Sequence, residues 1–263
     1  VDEAERLSLE MSVNLSSCAG ALKGPWEVGD DAPKKLIWTA AEVRGPKRVD
    51  CALQRPESVR FWEVALLAAR HAASPDAANP PAASADPAAS LSGNWQEVQT
   101  RADAKPTLVE VVSLADKVDA QGRLRWDVPA GDWSLLRFGC TTMEGHEYDV
   151  DILDPAAVAG HYGRMGKALL QDAGERAGKT VTHFYSVSWE GAAPTWSLGL
   201  DREFDKFRGY APLSYLPVLA GWTVTSPDVS ERFERDYHKT LGDCFMNNFY
   251  GKLRDLCHEA GVK

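Results

Sequence analysis

The stretch Thr180-Val-Thr-His-Phe-Tyr-Ser-Val-Ser-Trp-Glu-Gly-Ala-Ala-Pro-Thr-Trp196 decides how the rest of the chain is read. Its first half, Val181 to Val187, is β-branched and aromatic without helical spacing, which predicts a buried strand. Gly191 and Pro194 end that strand, and Ser197 to Phe207 returns to a helical pattern. Glu190 therefore stands where a strand passes into a loop, flanked by Trp189 and Trp196. In α/β folds ligands bind at that end of a strand, and barrel enzymes keep their catalytic groups there. An acid between two indoles suits a sugar, because indole faces stack on the ring while the carboxyl handles a proton. The plainer alternative is a surface glutamate beside two core tryptophans.

The segments on either side are helical. Asp154-Pro155 reads as an N-cap followed by proline at the first helical position. Val158, Tyr162, Met165 and Leu169 follow at helix spacing, and Gly174 to Gly178 closes the segment. Gly160, Gly163 and Gly166 fall inside that helix with no strand before them, so they are not a dinucleotide fingerprint. Beyond Glu190 the pattern predicts helices at Leu200 to Arg208 and Leu213 to Leu219. A last helix starts at Ser226-Pro227, with Phe233, Tyr237, Leu241, Phe245, Phe249 and Leu253 along one stripe. From Pro227 to Glu259 it would be ~50 Å long at 1.5 Å per residue, so a bend near Gly242 or Gly251 is expected.

Helix–strand alternation implies parallel pairing, and the alternating Met11-Ser-Val-Asn-Leu15 is the obvious partner for the Val181 strand. Between the two lies a different grammar. Leu36 to Val43, Val49 to Leu53 and Val59 to Ala69 are short apolar runs punctuated by Gly45-Pro46 and Arg55-Pro56. Thr107 to Leu114, Arg123 to Val128 and Trp133 to Phe138 are further strands, with turns at Gln121-Gly122 and Pro129-Ala-Gly-Asp132. Such punctuation predicts an antiparallel sandwich. His71 to Ser92 is Ala, Pro, Ser, Asp and Asn, too poor in apolar surface to offset chain entropy, and predicts a mobile loop. The domain reading is thus residues 1–34 and 146–263 as two parts of an α/β domain, with a β-sandwich inserted at 35–145.

The totals exclude several classes. The 263 residues are 44% hydrophobic and 25% charged, the proportions of a globular domain. No run approaches the ~18 apolar residues of a membrane span. With a net charge of −9 and scattered Lys and Arg, neither nucleic acid nor a membrane is an expected partner. The five cysteines are widely spaced, form no C-x-x-C pair and are expected to be free thiols. The chain opens on Val-Asp-Glu-Ala-Glu, so localisation is unreadable from it.

Leu36-Ile-Trp-Thr, Trp126-Asp-Val-Pro-Ala-Gly-Asp-Trp-Ser-Leu-Leu-Arg-Phe-Gly139, Ser188-Trp-Glu-Gly191, Phe207-Arg-Gly-Tyr210 and Tyr215-Leu-Pro-Val-Leu-Ala-Gly221 resemble glycoside hydrolase family 106, the α-L-rhamnosidase-like enzymes. The Arg232-to-Gly261 segment, with Asp236-Tyr237 and Asn248-Phe-Tyr250, fits the same pattern. The resemblance implies a partial (β/α)8-type barrel interrupted by an antiparallel β-sandwich. It also implies a carbohydrate partner and inverting hydrolysis of terminal α-L-rhamnosides by two glutamates. Calcium near the site, and a periplasmic or extracellular location for the whole protein, are further implications. Glu190 matches the glutamate that ends a barrel strand in this family, as general acid or general base.

Two departures stand out. Relatives often carry Asp where this chain has Val187, and they continue into another strand bearing a further active-site Glu. The chain is therefore expected to be an internal piece of a larger enzyme.

Asn14 and Trp26, at or after the end of the first strand, are the other expected substrate-binding residues beside Trp189 and Trp196. His183 and Tyr185 are expected to pack rather than to catalyse. Asp149 and Asp151, with Glu144 and Glu147, offer carboxylates to a hard cation, but the spacing is not an EF-hand loop, and the metal ligands stay unknown. His258-Glu259 lacks the second His of a zinc helix. The competing class is a noncatalytic carbohydrate-binding or interaction module built on the sandwich.

Overall fold

The structure is a computed structural model that describes residues 1–16, 22–73, 107–187 and 193–263. In chain order its elements are α1 (Asp2–Arg6), β1 (Met11–Asn14), β2 (Lys34–Ala52), β3 (Trp62–His71), β4 (Thr107–Ser113) and β5 (Arg123–Thr142). After these come α2 (Pro155–Arg164), α3 (Gly166–Ala173), β6 (Val181–Tyr185), α4 (Leu200–Arg208), α5 (Leu216–Leu219), β7 (Thr223–Val224), α6 (Pro227–Cys244) and α7 (Lys252–Glu259). One unit comprises Val1–Lys35, Thr142–Glu203 and Lys239–Lys263, and the other Leu36–Thr141 and Phe204–His238. The architecture is the expected mixture of helix and sheet, with five strands in the larger sheet. Most of the expected loop at His71 to Ser92 lies outside the described residues, although His71 itself ends β3.

In the first unit β1 and β6 pair in parallel, with Met11 opposite Val181 and Asn14 opposite Tyr185. Lys263 joins the other edge of β6. Its N–H donates to the Thr182 carbonyl at 2.8 Å, and its own carbonyl accepts from Phe184 N–H at 2.7 Å. That is one residue of parallel pairing. α2 starts as its cap predicts, the Asp154 carboxylate accepting from Ala156 N–H at 2.8 Å. The helical run breaks at Met165, and the chain then passes close to the Tyr162 ring at Gly166, where a Cβ would stand 2.7 Å from it. Val158 and Tyr162 are buried in one apolar cluster with Leu15, Leu22, Phe249 and Leu253.

The long last helix is interrupted. A π-helical segment, Phe245–Gly251, separates α6 from α7, and it ends at one of the glycines where a bend was expected. Within it the buried Asn248 side chain donates to the Leu153 carbonyl at 2.8 Å, giving the wider turn a polar partner.

The second unit holds the five-stranded sheet, in the order β2-β5-β3-β4-β7. β3 is antiparallel to both β4 and β5, while β4 and β7 are parallel. The apolar run after Val59 is strand, not helix. Two expected turns are not turns: Gly45-Pro46 lies inside β2, and Pro129-Ala-Gly-Asp132 lies inside β5. The reason is a close approach of these two neighbouring strands. A Cβ on Gly45 would sit 1.9 Å from the Pro129 carbonyl oxygen, so only glycine allows it. Trp133 Nε1–H donates to that same oxygen at 3.1 Å, and Gly131 takes φ +122°. The bend is therefore absorbed within the strand.

Along β5, Leu124, Trp126 and Val128 are buried while Arg123, Arg125 and Asp127 are exposed, the expected dry and wet faces. Arg123 pairs with Asp50 on the wet side and holds its carboxyl below the usual range. Cys51, Cys140, Cys244 and Cys257 are free thiols; Cys18 lies outside the described residues.

Candidate active site

Parallel pairing brings the carboxyl ends of β1 and β6 side by side in the first unit. Leu15 N–H donates to the Tyr185 carbonyl at 3.0 Å. The Asn14 side-chain oxygen accepts from both the N–H and the hydroxyl of Ser16, each at 2.8 Å. Val187 N–H in turn donates to the Ser16 hydroxyl oxygen at 3.1 Å. A short polar clip therefore joins the two strand ends, and Asn14 serves it as an Asx-type acceptor. Glu190 and Trp189 lie just beyond Val187, outside the described residues.

On the far flank, Thr195 N–H and Trp196 N–H both donate to the Lys34 carbonyl, at 3.1 and 3.2 Å. The Trp196 indole is 3% exposed and so has its faces covered. Beneath this contact lies a buried polar knot. Lys34 is 1% exposed, Asp151 0% and Ser197 1%. The Lys34 ammonium donates to the Ala32 carbonyl at 2.9 Å and to Asp151 Oδ2 at 3.3 Å. The Ser197 hydroxyl donates to the same Oδ2 at 2.8 Å, and Leu153 N–H donates to Oδ1 at 3.0 Å.

Burial pushes the Asp151 carboxyl up to about 6, against the pull of Lys34 and the hydrogen bonds. At neutral pH the pair is therefore ionised, and each charge depends on the other. The sequence showed Asp151 as one of two neighbouring carboxylates. Its lysine partner, 117 positions away, was not visible there.

Trp26 is half-buried in the first unit and packs against His161 of α2, with ring centroids 6.0 Å apart. Gly24 makes room for it, since a Cβ there would stand 2.5 Å from the indole. The guanidinium of Arg164 lies 5.8 Å over the Trp26 ring. His161 is 2% exposed, and its Nε2–H donates to the Leu15 carbonyl at 3.1 Å, so it holds the residue after Asn14. Burial lowers its pKa and keeps the ring neutral. Sequence reasoning missed His161, although its place between Val158 and Tyr162 on the apolar face of α2 was a signal.

His183 is half-buried, with Nδ1 2.8 Å from the Thr182 hydroxyl, and Tyr185 is exposed. The structure thus gathers Asn14, Ser16, Trp26 and His161 around the end of β1, and fixes Trp196 and Ser197 beyond β6.

The implied calcium finds no fit here. Among the described residues no group of three His, Cys, Asp or Glu side chains could hold an ion. Asp151 is occupied by Lys34, and Asp149 faces His146 at 2.6 Å and Lys23 at 3.3 Å.

Comparison with known proteins accords with this picture. A family model described as alpha-L-rhamnosidase, glycoside hydrolase family 106, matches residues 82–263. A protein of Formosa agariphila named putative beta-glucuronidase is 31% identical over 278 residues, covering 99% of this chain and 24% of that protein. The chain therefore spans about a quarter of the length of this curated relative. The solved rhamnosidase from Novosphingobium sp. PP1Y superposes with a TM-score of 0.73 at 20% identity, over all of this chain and 39% of the other, which speaks for the fold. The chain belongs to the α-L-rhamnosidase family of glycoside hydrolases, family 106.

Proposed function

We propose that this chain is the part of an inverting glycoside hydrolase that carries Glu190, one of two catalytic carboxylates, and that the substrate is a terminal α-L-rhamnoside. The observation that carries the reading is the clipped pair of parallel strand ends, from which the Ser188-Trp-Glu-Gly191 motif follows directly. A partial barrel is supported by the sequence order of parallel neighbours: β1, then β6, then the residue of pairing at Lys263, with helices between. A sandwich-type insertion is supported by the dry face of the five-stranded sheet.

Glu190 acts as general acid, protonating the leaving oxygen, or as general base, activating water on the opposite face of the ring. The two carboxyl groups of an inverting enzyme stand roughly 6.5–9.5 Å apart to admit that water. Asn14 and Trp26 line the sugar site, Trp189 stacks on the ring, and Trp196 holds the chain a few residues after Glu190 through its bond to the Lys34 carbonyl. The buried Lys34–Asp151–Ser197 knot fixes the backbone at that bond.

The chain spans 39% of the solved rhamnosidase and 24% of the Formosa relative. We therefore expect little or no hydrolysis from the 263 residues alone, since a single carboxylate fills one of the two roles. A glucuronoside is the second reading, favoured by the name of the relative that aligns along nearly the whole chain. The test compares release of 4-nitrophenol from the α-L-rhamnoside and the β-D-glucuronide by the 263-residue chain and its Glu190→Gln variant. Robust turnover by the chain, lost in Glu190→Gln, would place a complete acid/base pair within these residues and overturn the single-carboxylate reading.

A further inference from the structure

One cavity in the second unit belongs to none of the groups above. It has a volume of about 280 Å³ and is lined by Tyr210, Tyr215, Val229, Arg232 and Phe233. Val229, Arg232, Phe233 and Asp236 recur at helix spacing and so share one face of α6. Tyr210 and Tyr215 come from the segment between α4 and α5, and the chain folds them onto that face.

The rings are held in fixed orientations. Tyr215 stacks on the buried Phe233 with centroids 5.4 Å apart and planes 23° from parallel, while Tyr210 meets Tyr215 edge-on at 5.6 Å. The Tyr210 hydroxyl donates to Asp236 Oδ2 at 3.0 Å. Burial and that bond to a carboxylate raise its pKa, so the phenol stays protonated. Arg232 is exposed on the cavity wall and forms no ion pair with a described residue. Rigid aromatic walls and two phenols are the groups that hold one sugar ring. A guanidinium with no ion-pair partner among the described residues stands beside them, and such a group holds a planar carboxylate through two parallel bonds.

We propose that this cavity is a binding subsite for a uronic acid residue of a glycan, with Arg232 on the sugar carboxylate and Tyr210 and Tyr215 on the ring and its hydroxyls. The site lies wholly within the second unit and does not depend on the role given to Glu190. A single ring suits the volume, which falls just below the ~300 Å³ at which pockets for larger ligands begin.

The test is a protein-observed NMR titration of the 263-residue chain, with tyrosine ring signals assigned, against sodium methyl β-D-glucuronide. Methyl β-D-glucoside, the same ring without the carboxylate, and methyl α-L-rhamnoside are the comparisons. The proposal expects saturable shifts at Tyr210 and Tyr215 with the glucuronide, and binding about tenfold weaker for the glucoside, the worth of one charge-assisted pair. Arg232→Gln, which exchanges one good helix former for another at an exposed position of α6, should keep the melting temperature and reduce glucuronide binding to the level of the glucoside. Equal affinity for glucuronide and glucoside, unchanged glucuronide binding in Arg232→Gln, shifts confined to other residues, or no saturable shift at all would overturn it.

Discussion

Lys34→Met removes the ammonium from the buried knot and leaves Asp151 with the Ser197 hydroxyl and Leu153 N–H as its partners. The stem of Met fills much the same volume, so the loss is one of charge rather than packing. Breaking a buried pair by removing one partner typically costs about 3–5 kcal/mol. That cost depends on pH in a way that packing does not. In the native protein the Asp151 carboxyl titrates at about 6, above its unfolded value near 3.8. With a raised folded pKa, its contribution to stability is full below pH ~3.8 and is lost as pH rises through ~6, and above that it changes no further.

Without Lys34 the folded carboxyl holds its proton to higher pH, so the variant keeps losing about 1.4 kcal/mol per unit where the native protein has nearly stopped. Between pH 6 and 7.5 the native protein still loses about 0.4 kcal/mol as the last of Asp151 deprotonates, so the destabilisation should grow by up to about 1.6 kcal/mol. Urea denaturation of both proteins, followed by circular dichroism at the two pH values, measures it directly. Lys34→Met/Asp151→Asn, which removes both charges, should recover most of the stability. A loss that is the same at pH 6 and 7.5, or under 1 kcal/mol at both, would show that the knot is not an ionised pair.

His161→Gln should cost about 1 kcal/mol above pH 7, from the bond to Leu15. Because the folded pKa of His161 is depressed, its contribution is present above pH ~6.5 and lost as pH falls, so the variant should show a flatter acid limb in urea titrations. Gly45→Ala puts a Cβ against the Pro129 carbonyl oxygen and should lower stability by more than about 2 kcal/mol, read as a fall in melting temperature with little far-UV change. Asn248→Ala leaves the Leu153 carbonyl without its amide donor and should cost about 1–2 kcal/mol in the same assay.

The parallel pairing of Met11–Asn14 with Val181–Tyr185 was legible because strand and helix periods alternate cleanly around it, and the Asp154-Pro155 cap marked the intervening helix. The two long strands were not legible. Gly45-Pro46 and Pro129-Ala-Gly-Asp132 carry the residues of turns, and only the close approach of two neighbouring strands distant in sequence shows why they sit within continuous strands instead. β7, two residues long, has no period to read and owes its strand character to β4 alone. The place of Asn14 at the end of β1 was readable from the strand's alternation, whereas its hold on Ser16 was not. The partnership of Lys34 with Asp151, and of His161 with Leu15, depends on contacts between distant segments that no local pattern encodes.

The central claim is that Glu190 is one of the two carboxylates that hydrolyse the glycoside. Its most direct test is the rate of 4-nitrophenol release from the aryl α-L-rhamnoside by the full-length protein, with and without Glu190→Gln. General acid or base catalysis is worth about 10²–10⁴-fold, so the account predicts a loss of that size in turnover with little change in KM. A full-length Glu190→Gln protein that hydrolyses the rhamnoside at the native rate would contradict it.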